Sequence, residues 1–228
     1  KFIGFKVMNT QGLSIMFNGG VIRNNIFNNN ITKSYDLSVI RVAGVKVENN
    51  IFDANKGGYT IVAQPFNQGD HAWTYINNNI FKNQSLVTDN GNAGLLQSSF
   101  QKVKITNNLF HNNKSPNLIS VGGDAVDSII AIHNTFVNNS SNNTNWSSYF
   151  YHVRTWENSA GFLNLLTNNI LINSGIVRST NNKSVDFNVS NNYATISLKE
   201  LPESFNTNGN YYQKDNYFAD NSLKFVDS

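Results

Sequence analysis

Residues 47–52 read Val47-Glu48-Asn49-Asn50-Ile51-Phe52, and the order of an Asn pair followed by an apolar pair recurs along the chain. Seven copies are present, although His133 replaces the first Asn in one copy and the last copy matches weakly. The copies are 23 to 35 residues apart. A repeat of this length predicts one supersecondary unit per copy, stacked on its neighbours. The second Asn of the successive copies is Asn25, Asn50, Asn79, Asn108, Asn134, Asn169 and Asn192.

The composition favours short strands over helices. Asn accounts for 43 of the 228 residues. Its side-chain amide competes for nearby backbone groups, so Asn disfavours helices and tolerates left-handed turns. Low-complexity disorder is the alternative for so polar a chain. That alternative fails because 39% of the residues are hydrophobic and they recur in register with the Asn pairs.

One repeat contains three short apolar segments separated by polar corners. In residues 31–55 these segments are Leu37–Val42, Val45–Val47 and Ile51–Ala54. Three strands and three turns in about 25 residues describe one triangular coil of a parallel β-helix. The sequence therefore predicts an all-β, single-stranded parallel β-helix (solenoid) of about seven coils. Its first strands are expected at residues 14–18, 38–42, 60–65, 94–99, 117–121, 149–154 and 175–179.

The second Asn of each pair has a structural interpretation. An amide both donates and accepts hydrogen bonds, so an Asn repeated at one corner can form an internal ladder. The functional alternative, a surface ladder that binds ligand or ice, is disfavoured because apolar positions closely flank each Asn. Two residues after the ladder position, the sequence predicts an internal stack of Phe27, Phe52, Phe81, Phe110 and Phe136.

The pattern apolar-x-Asn-Asn-apolar-Phe-x-Asn-Asn is carried best by residues 47–52 and 105–113, with further copies at 133–139 and 166–171. It resembles the right-handed parallel β-helix repeat of the pectate-lyase-like superfamily, in particular its bacterial and archaeal surface or secreted proteins. The resemblance implies one domain over residues 1–228, truncated at both ends, with an irregular C-terminal coil or cap at 198–228. It also implies a secreted or cell-surface location and a polysaccharide groove along the first-strand sheet.

Three of the four Arg residues fall on or beside first strands, whereas none of the Lys residues does. The planar guanidinium suits carboxylate or sulfate. Alternation along the strand places the side chain of Arg41 on the face opposite to that of Ile40 and Val42. The plainer alternative is that these Arg residues pair with Asp36, Glu157 or Asp124 and solubilise an exposed sheet. The expected outward stripe consists of Arg41, Ala63, Gln97, Ser120, His152 and Arg178, with Arg154 nearby.

The segment 149–157 offers the residues of a polysaccharide lyase. His152 is the candidate base, and Arg154 or Arg178 is the candidate cation for the enolate-like anion of β-elimination. Substrate-binding roles are assigned to Arg41, Gln97, Tyr151, Trp156, Glu157 and Asp124. A glycoside hydrolase needs two carboxylates. Asp124 and Asp127 are the candidate pair of carboxylates for a hydrolase, although Asp is also common in turns.

Other classes of function are disfavoured. The chain has no Cys, a net charge of +3 and no Lys/Arg cluster typical of nucleic-acid binding. No apolar run reaches the length of a membrane span. No cofactor is predicted, because calcium would need an Asp cluster like that of pectate lyases and none is seen. A polygalacturonase-like catalytic set is also missing.

These observations favour an extracellular, adhesin-like module that binds polysaccharide or a cell-surface glycan without catalysis. The alternatives are a lyase for an acidic glycan, a glycoside hydrolase, or a segment of a phage tail spike, which would be trimeric. The sequence leaves the oligomeric state open.

Overall fold

The computed structural model describes residues 1–12, 15–32, 37–65, 72–86, 94–99, 101–123, 128–140, 149–155, 163–174, 176–179, 186–195, 211–214 and 217–218. These residues form parallel β-strands and contain no helix. The strands, in chain order, are β1 Phe2–Ile3, β2 Lys6–Met8, β3 Ile15–Arg23, β4 Ile26–Asn28, β5 Ser38–Glu48, β6 Ile51–Asp53, β7 Lys56–Gly57, β8 Tyr59–Ala63, β9 Thr74–Asn77, β10 Ile80–Lys82, β11 Ser85–Leu86, β12 Gly94–Ser98, β13 Val103–Thr106, β14 Leu109–His111, β15 Asn117–Gly123, β16 Ser128–Ile132, β17 Thr135–Asn139, β18 Tyr149–Thr155, β19 Leu163–Thr167, β20 Ile170–Ser174, β21 Ile176–Ser179, β22 Asp186–Ser190, β23 Tyr193–Ala194, β24 Tyr211–Lys214 and β25 Tyr217–Phe218.

The largest sheet has 14 strands and divides at the long strand β5. The N-terminal half of β5 pairs with β8, and β12, β15, β18 and β21 follow; this is the first arm. The C-terminal half of β5 pairs with β9, and β13, β16, β19, β22 and β24 follow; this is the second arm. Of the seven first strands expected from the sequence, five agree with β8, β12, β15, β18 and β21 to within two residues. β3 and β5 are longer than expected: β5 runs from Ser38 to Glu48 without a break, so Leu37–Val42 and Val45–Val47, predicted as separate strands, lie on one strand.

A second sheet has nine strands, and seven of them, β4, β6, β10, β14, β17, β20 and β23, contain the residues that follow the Asn corners. β7 and β11 form a small third sheet. Successive strands of a repeat belong to the first arm, the second arm and the nine-stranded sheet in that order. In one repeat these three strands are β12, β13 and β14. This three-part order of short parallel strands confirms the all-β prediction. In the segment 198–228, the described residues are β24 and β25, which extend the second arm and the nine-stranded sheet.

The predicted Asn ladder is confirmed. The Oδ1 atom of Asn50 accepts from the backbone N of Asn25 at 3.0 Å and from its Nδ2 at 2.9 Å. The same pair of bonds links each ladder Asn to the next, as far as Asn169 and Asn192. Each of the seven amides is at most 2% exposed. The ladder therefore satisfies polar backbone groups that the stacked corners bury.

The first residue of each Asn pair has a different role, because its backbone is left-handed. The φ angles at these seven positions lie between +53° and +58°, including that of His133. Asn enters this region more readily than most residues, since its short side chain can bond locally. The pair thus combines a turn residue with a ladder residue. His133 is exposed, and its Nε2 atom lies 3.2 Å from the Nδ2 atom of Asn168.

A second buried polar ladder, which the sequence analysis did not assign, lies at the corner after the nine-stranded sheet. Asn30 bonds to Asn55 Oδ1 through its backbone N and its Nδ2 at 3.0 and 2.9 Å. Farther along, Asn113 bonds in the same way to Asn139, and Asn139 to the hydroxyl of Ser174. The residue before each member again has a positive φ, including Ala54 at +53°. The members are Asn30, Asn55, Gln84, Asn113, Asn139 and Ser174.

The aromatic stack is confirmed between the two ladders. Phe27, Phe52, Phe81, Phe110 and Phe136 are each 0% exposed. Successive ring centroids are 4.8, 4.9, 4.8 and 4.4 Å apart, with interplanar angles of 3° to 6°. The spacing equals the distance between neighbouring strands. The strand register therefore sets the stack, which continues into Leu171 and Ala194.

Candidate functional site

The first arm aligns most of the predicted site residues in one row. Arg41 is the cross-strand partner of Val62, and Val62 is the partner of Gln97. The row continues through Ser120 and His152 to Arg178. Neighbouring strands are about 4.8 Å apart, so the six positions span roughly 24 Å. Four predicted residues from four distant parts of the chain therefore share one register position: Arg41, Gln97, His152 and Arg178.

The structure corrects one member of the expected stripe. Ala63 aligns with Val42 and Ser98 rather than with Arg41, and it is 1% exposed. Val62 occupies the expected position. The error is one residue, and a one-residue shift moves a side chain to the opposite face of a strand. Ala63 is therefore a core residue.

The described side chains of the row are more enclosed than an open stripe would be. Arg41 and Gln97 are half-buried, whereas Val62 and Ser120 are buried. Gln97 donates from Nε2 to Ser99 Oγ at 3.3 Å. Arg41 and Gln97 are thus the described side chains of this row that a ligand would reach.

The remaining predicted residues are placed by backbone register alone or not at all. Tyr151 pairs with Ile119, in a row that contains the buried Ile40, Ile61 and Leu96. Arg154 pairs with Gly122. Asp36, Asp124, Asp127, Trp156 and Glu157 lie outside the described residues.

Two further features are absent from the described part of the chain, a metal site and a membrane-spanning helix. Among these residues no three His, Cys, Asp or Glu side chains are grouped so that they could hold a metal ion. The same part of the chain contains no helix with the length and apolar character needed to cross a membrane.

The second arm carries a surface that the sequence analysis did not single out. A depression of approximately 430 Å³ is lined by side chains from β5, β9 and β13. We call these lining residues the Tyr75 patch. The alternation in Trp73-Thr74-Tyr75-Ile76-Asn77 was a visible signal for an outward Tyr and Asn. The neighbours of Tyr75 could not be read from the sequence, because they come from the preceding and following repeats, about 29 residues away on either side. The patch consists of Lys46, Glu48, Tyr75, Asn77, Lys104 and Thr106.

No protein-family model, curated protein or solved structure gives a significant match to this chain.

Proposed function

We propose that the parallel sheets wrap into a right-handed β-helix of about seven coils, of the pectate-lyase-like kind. The repeated order of first arm, second arm and nine-stranded sheet supports this proposal. Parallel pairing between successive repeats, two polar ladders and one aromatic stack support it further. A crystal structure tests the winding: three sheets that close around one core are expected, and sheets that do not close would contradict it.

We infer that the protein is a secreted or cell-surface, adhesin-like module that binds an acidic polysaccharide. The observation that carries this proposal is the shared register of Arg41, Gln97, His152 and Arg178. Each Arg offers a planar fork of donors that remains charged at any physiological pH. Arg41, Gln97 and His152 occupy every second strand of the row, roughly 10 Å apart, and Arg178 follows on the strand next to His152. Donors at such intervals suit a linear chain of carboxylates or sulfates.

Calorimetric titration with uronate and neutral oligosaccharides of equal length tests this function. The wild type is expected to prefer the acidic polymer, and Arg178→Gln to weaken that preference. Lys6→Gln is the matched control, because it removes one positive charge from an exposed position in the nine-stranded sheet. Equal affinity for both polymers, or equal losses in both variants, would contradict the proposal.

A polysaccharide lyase is the second candidate, favoured by the pairing of His152 with Arg178 on adjacent strands. In β-elimination a base removes the proton next to the uronate carboxylate, a cation stabilises the resulting anion, and the glycosidic oxygen leaves as a double bond forms. His152 would be the base and Arg178 the cation. Ultraviolet absorbance of the unsaturated product measures this activity. A signal abolished in His152→Ala supports the lyase, and an inert wild type that still binds the polymer excludes it.

A further inference from the structure

We propose a second, separate binding site for acidic saccharides at the Tyr75 patch on the second arm. The inference takes its ligand class from the proposed function. Its residues, however, belong to a different surface, so the two proposals can fail separately.

The strand alternation places the patch on the outer face of the second arm. Thr74 and Ile76 of β9 are buried, which leaves Tyr75 and Asn77 on the opposite face. In β13 the buried Val103 and Ile105 leave Lys104 and Thr106 outside, and in β5 the buried Val45 and Val47 leave Lys46 and Glu48 outside. Side chains from three consecutive strands therefore meet at one surface.

The register places a cation on each side of an exposed aromatic ring. Lys46 and Lys104 are the cross-strand partners of Tyr75 on its two neighbouring strands. Tyr75 is 40% exposed, and the centroid of its ring lies 6.4 Å from the centroid of the Trp73 ring. An aromatic surface provides an apolar contact for a sugar ring, and the flanking ammonium groups provide partners for its anionic substituents.

The charges of the patch are available to a ligand. The only carboxylate in the patch, that of Glu48, lies 3.6 Å from the guanidinium of Arg23, its cross-strand partner. Lys82 likewise lies 3.4 Å from Asp53. Among the described residues, Lys46 and Lys104 form no such pair. The patch therefore presents two uncompensated positive charges, which favours an anionic ligand.

Hydrogen-bonding groups adjoin the ring. Asn77 Oδ1 accepts from Thr106 Oγ1 at 2.9 Å and from Asn107 Nδ2 at 3.3 Å. The Nδ2 donors of Asn77 have no acceptor among the described residues and remain free for a sugar hydroxyl or carboxylate. The depression of approximately 430 Å³ falls within the range of about 300–1,000 Å³ that small-ligand sites occupy.

The test is a titration with a defined oligouronate, followed through backbone amide shifts of the labelled protein. Shifts are expected at Tyr75, Asn77 and Lys104. Lys46→Gln combined with Lys104→Gln should weaken binding at these amides about fivefold, with less salt dependence, because exposed ion pairs are individually weak. Tyr75→Ala should weaken acidic and neutral oligomers alike, whereas Tyr75→Phe, the matched control, keeps the ring and the affinity.

Each outcome of the titration decides one of the two proposals. Shifts confined to the first arm would overturn the second site and leave the proposed function intact. Shifts at the patch that survive Arg178→Gln would support the second site alone. Single-stranded DNA bound at the patch as tightly as the oligouronate, through the same two Lys residues, would overturn saccharide recognition in favour of a general polyanion surface.

Discussion

Replacing Asn79 by Ala should destabilise the protein more than any exposed substitution in the same corner. The Asn79 amide accepts two hydrogen bonds from Asn50, at 2.9 Å from its backbone N and 3.0 Å from its Nδ2. It donates to the carbonyl oxygens of Val47 and Asn77 at 2.9 and 3.0 Å, and to Asn108 Oδ1 at 3.1 Å. One side chain thus joins three successive repeats.

The expected loss follows from the groups that Asn79→Ala leaves behind. Asn50 Nδ2 keeps its bonds to Ile22 and Glu48, and Asn108 Oδ1 keeps its bond from the backbone N of Asn79. The buried backbone N of Asn50 loses its acceptor, which costs about 1–3 kcal/mol. The other lost hydrogen bonds contribute about 0.5–1.5 kcal/mol each. The orphaned N–H and the four other lost bonds together give an expected loss of at least about 3 kcal/mol in the free energy of unfolding.

Two measurements check this value. Urea denaturation gives the change in the free energy of unfolding, and amide hydrogen exchange reports on the Asn50 N–H itself. Exchange at Asn50 should become much faster than exchange at amides in the distant repeats, because repeats contact only their neighbours. Asn78→Gly is the matched control, since Asn78 is exposed and has a φ of +54° that Gly adopts freely.

The result that would refute the reasoning is specific. If Asn79→Ala lost less than about 1 kcal/mol and Asn50 kept its protection, the ladder bonds would not hold the corner. If Asn78→Gly were as harmful as Asn79→Ala, the effect would belong to the turn and not to the amide.

Three other substitutions test the packing and the turns. Phe81→Ala should cost about 3–5 kcal/mol of unfolding free energy and Phe81→Leu less, since the ring is fully buried between two others; equal losses in urea denaturation would argue against the stack. Ala54→Asn should raise the melting temperature by stabilising the fold by about 0.5–1 kcal/mol, because Ala54 has a φ of +53°; a lower melting temperature would show that another contact decides this corner. Gly57→Ala should cost at least about 3 kcal/mol, because its φ is +113° and an added Cβ would collide with the backbone carbonyl of Thr32. Gly12→Ala, where the φ is +70° and no atom lies near the added Cβ, should cost about 1–2 kcal/mol and serves as its control in the same denaturation experiment.

The candidate site was predictable only in part. Arg41 and Gln97 could be placed in one row because each is a long polar residue between two buried neighbours, Ile40 and Val42 in β5 and Leu96 and Ser98 in β12. Ala63 was assigned wrongly because β8 is buried along its whole length, so its sequence shows no alternation to fix the register. The second ladder was missed because Gln84 and Ser174 replace Asn in it.

The sequence by itself determined the repeat, the first Asn ladder, the Phe stack and the positions of most strands. These features depend on local patterns: amide chemistry, the period of two along a strand, and the fixed spacing of similar residues. Only the tertiary structure decided which residues of different repeats lie side by side. Cross-strand pairing between segments about 29 residues apart brings Lys46 and Lys104 to either side of Tyr75. That register is the sum of every corner and strand between them, so no single segment of the sequence contains it.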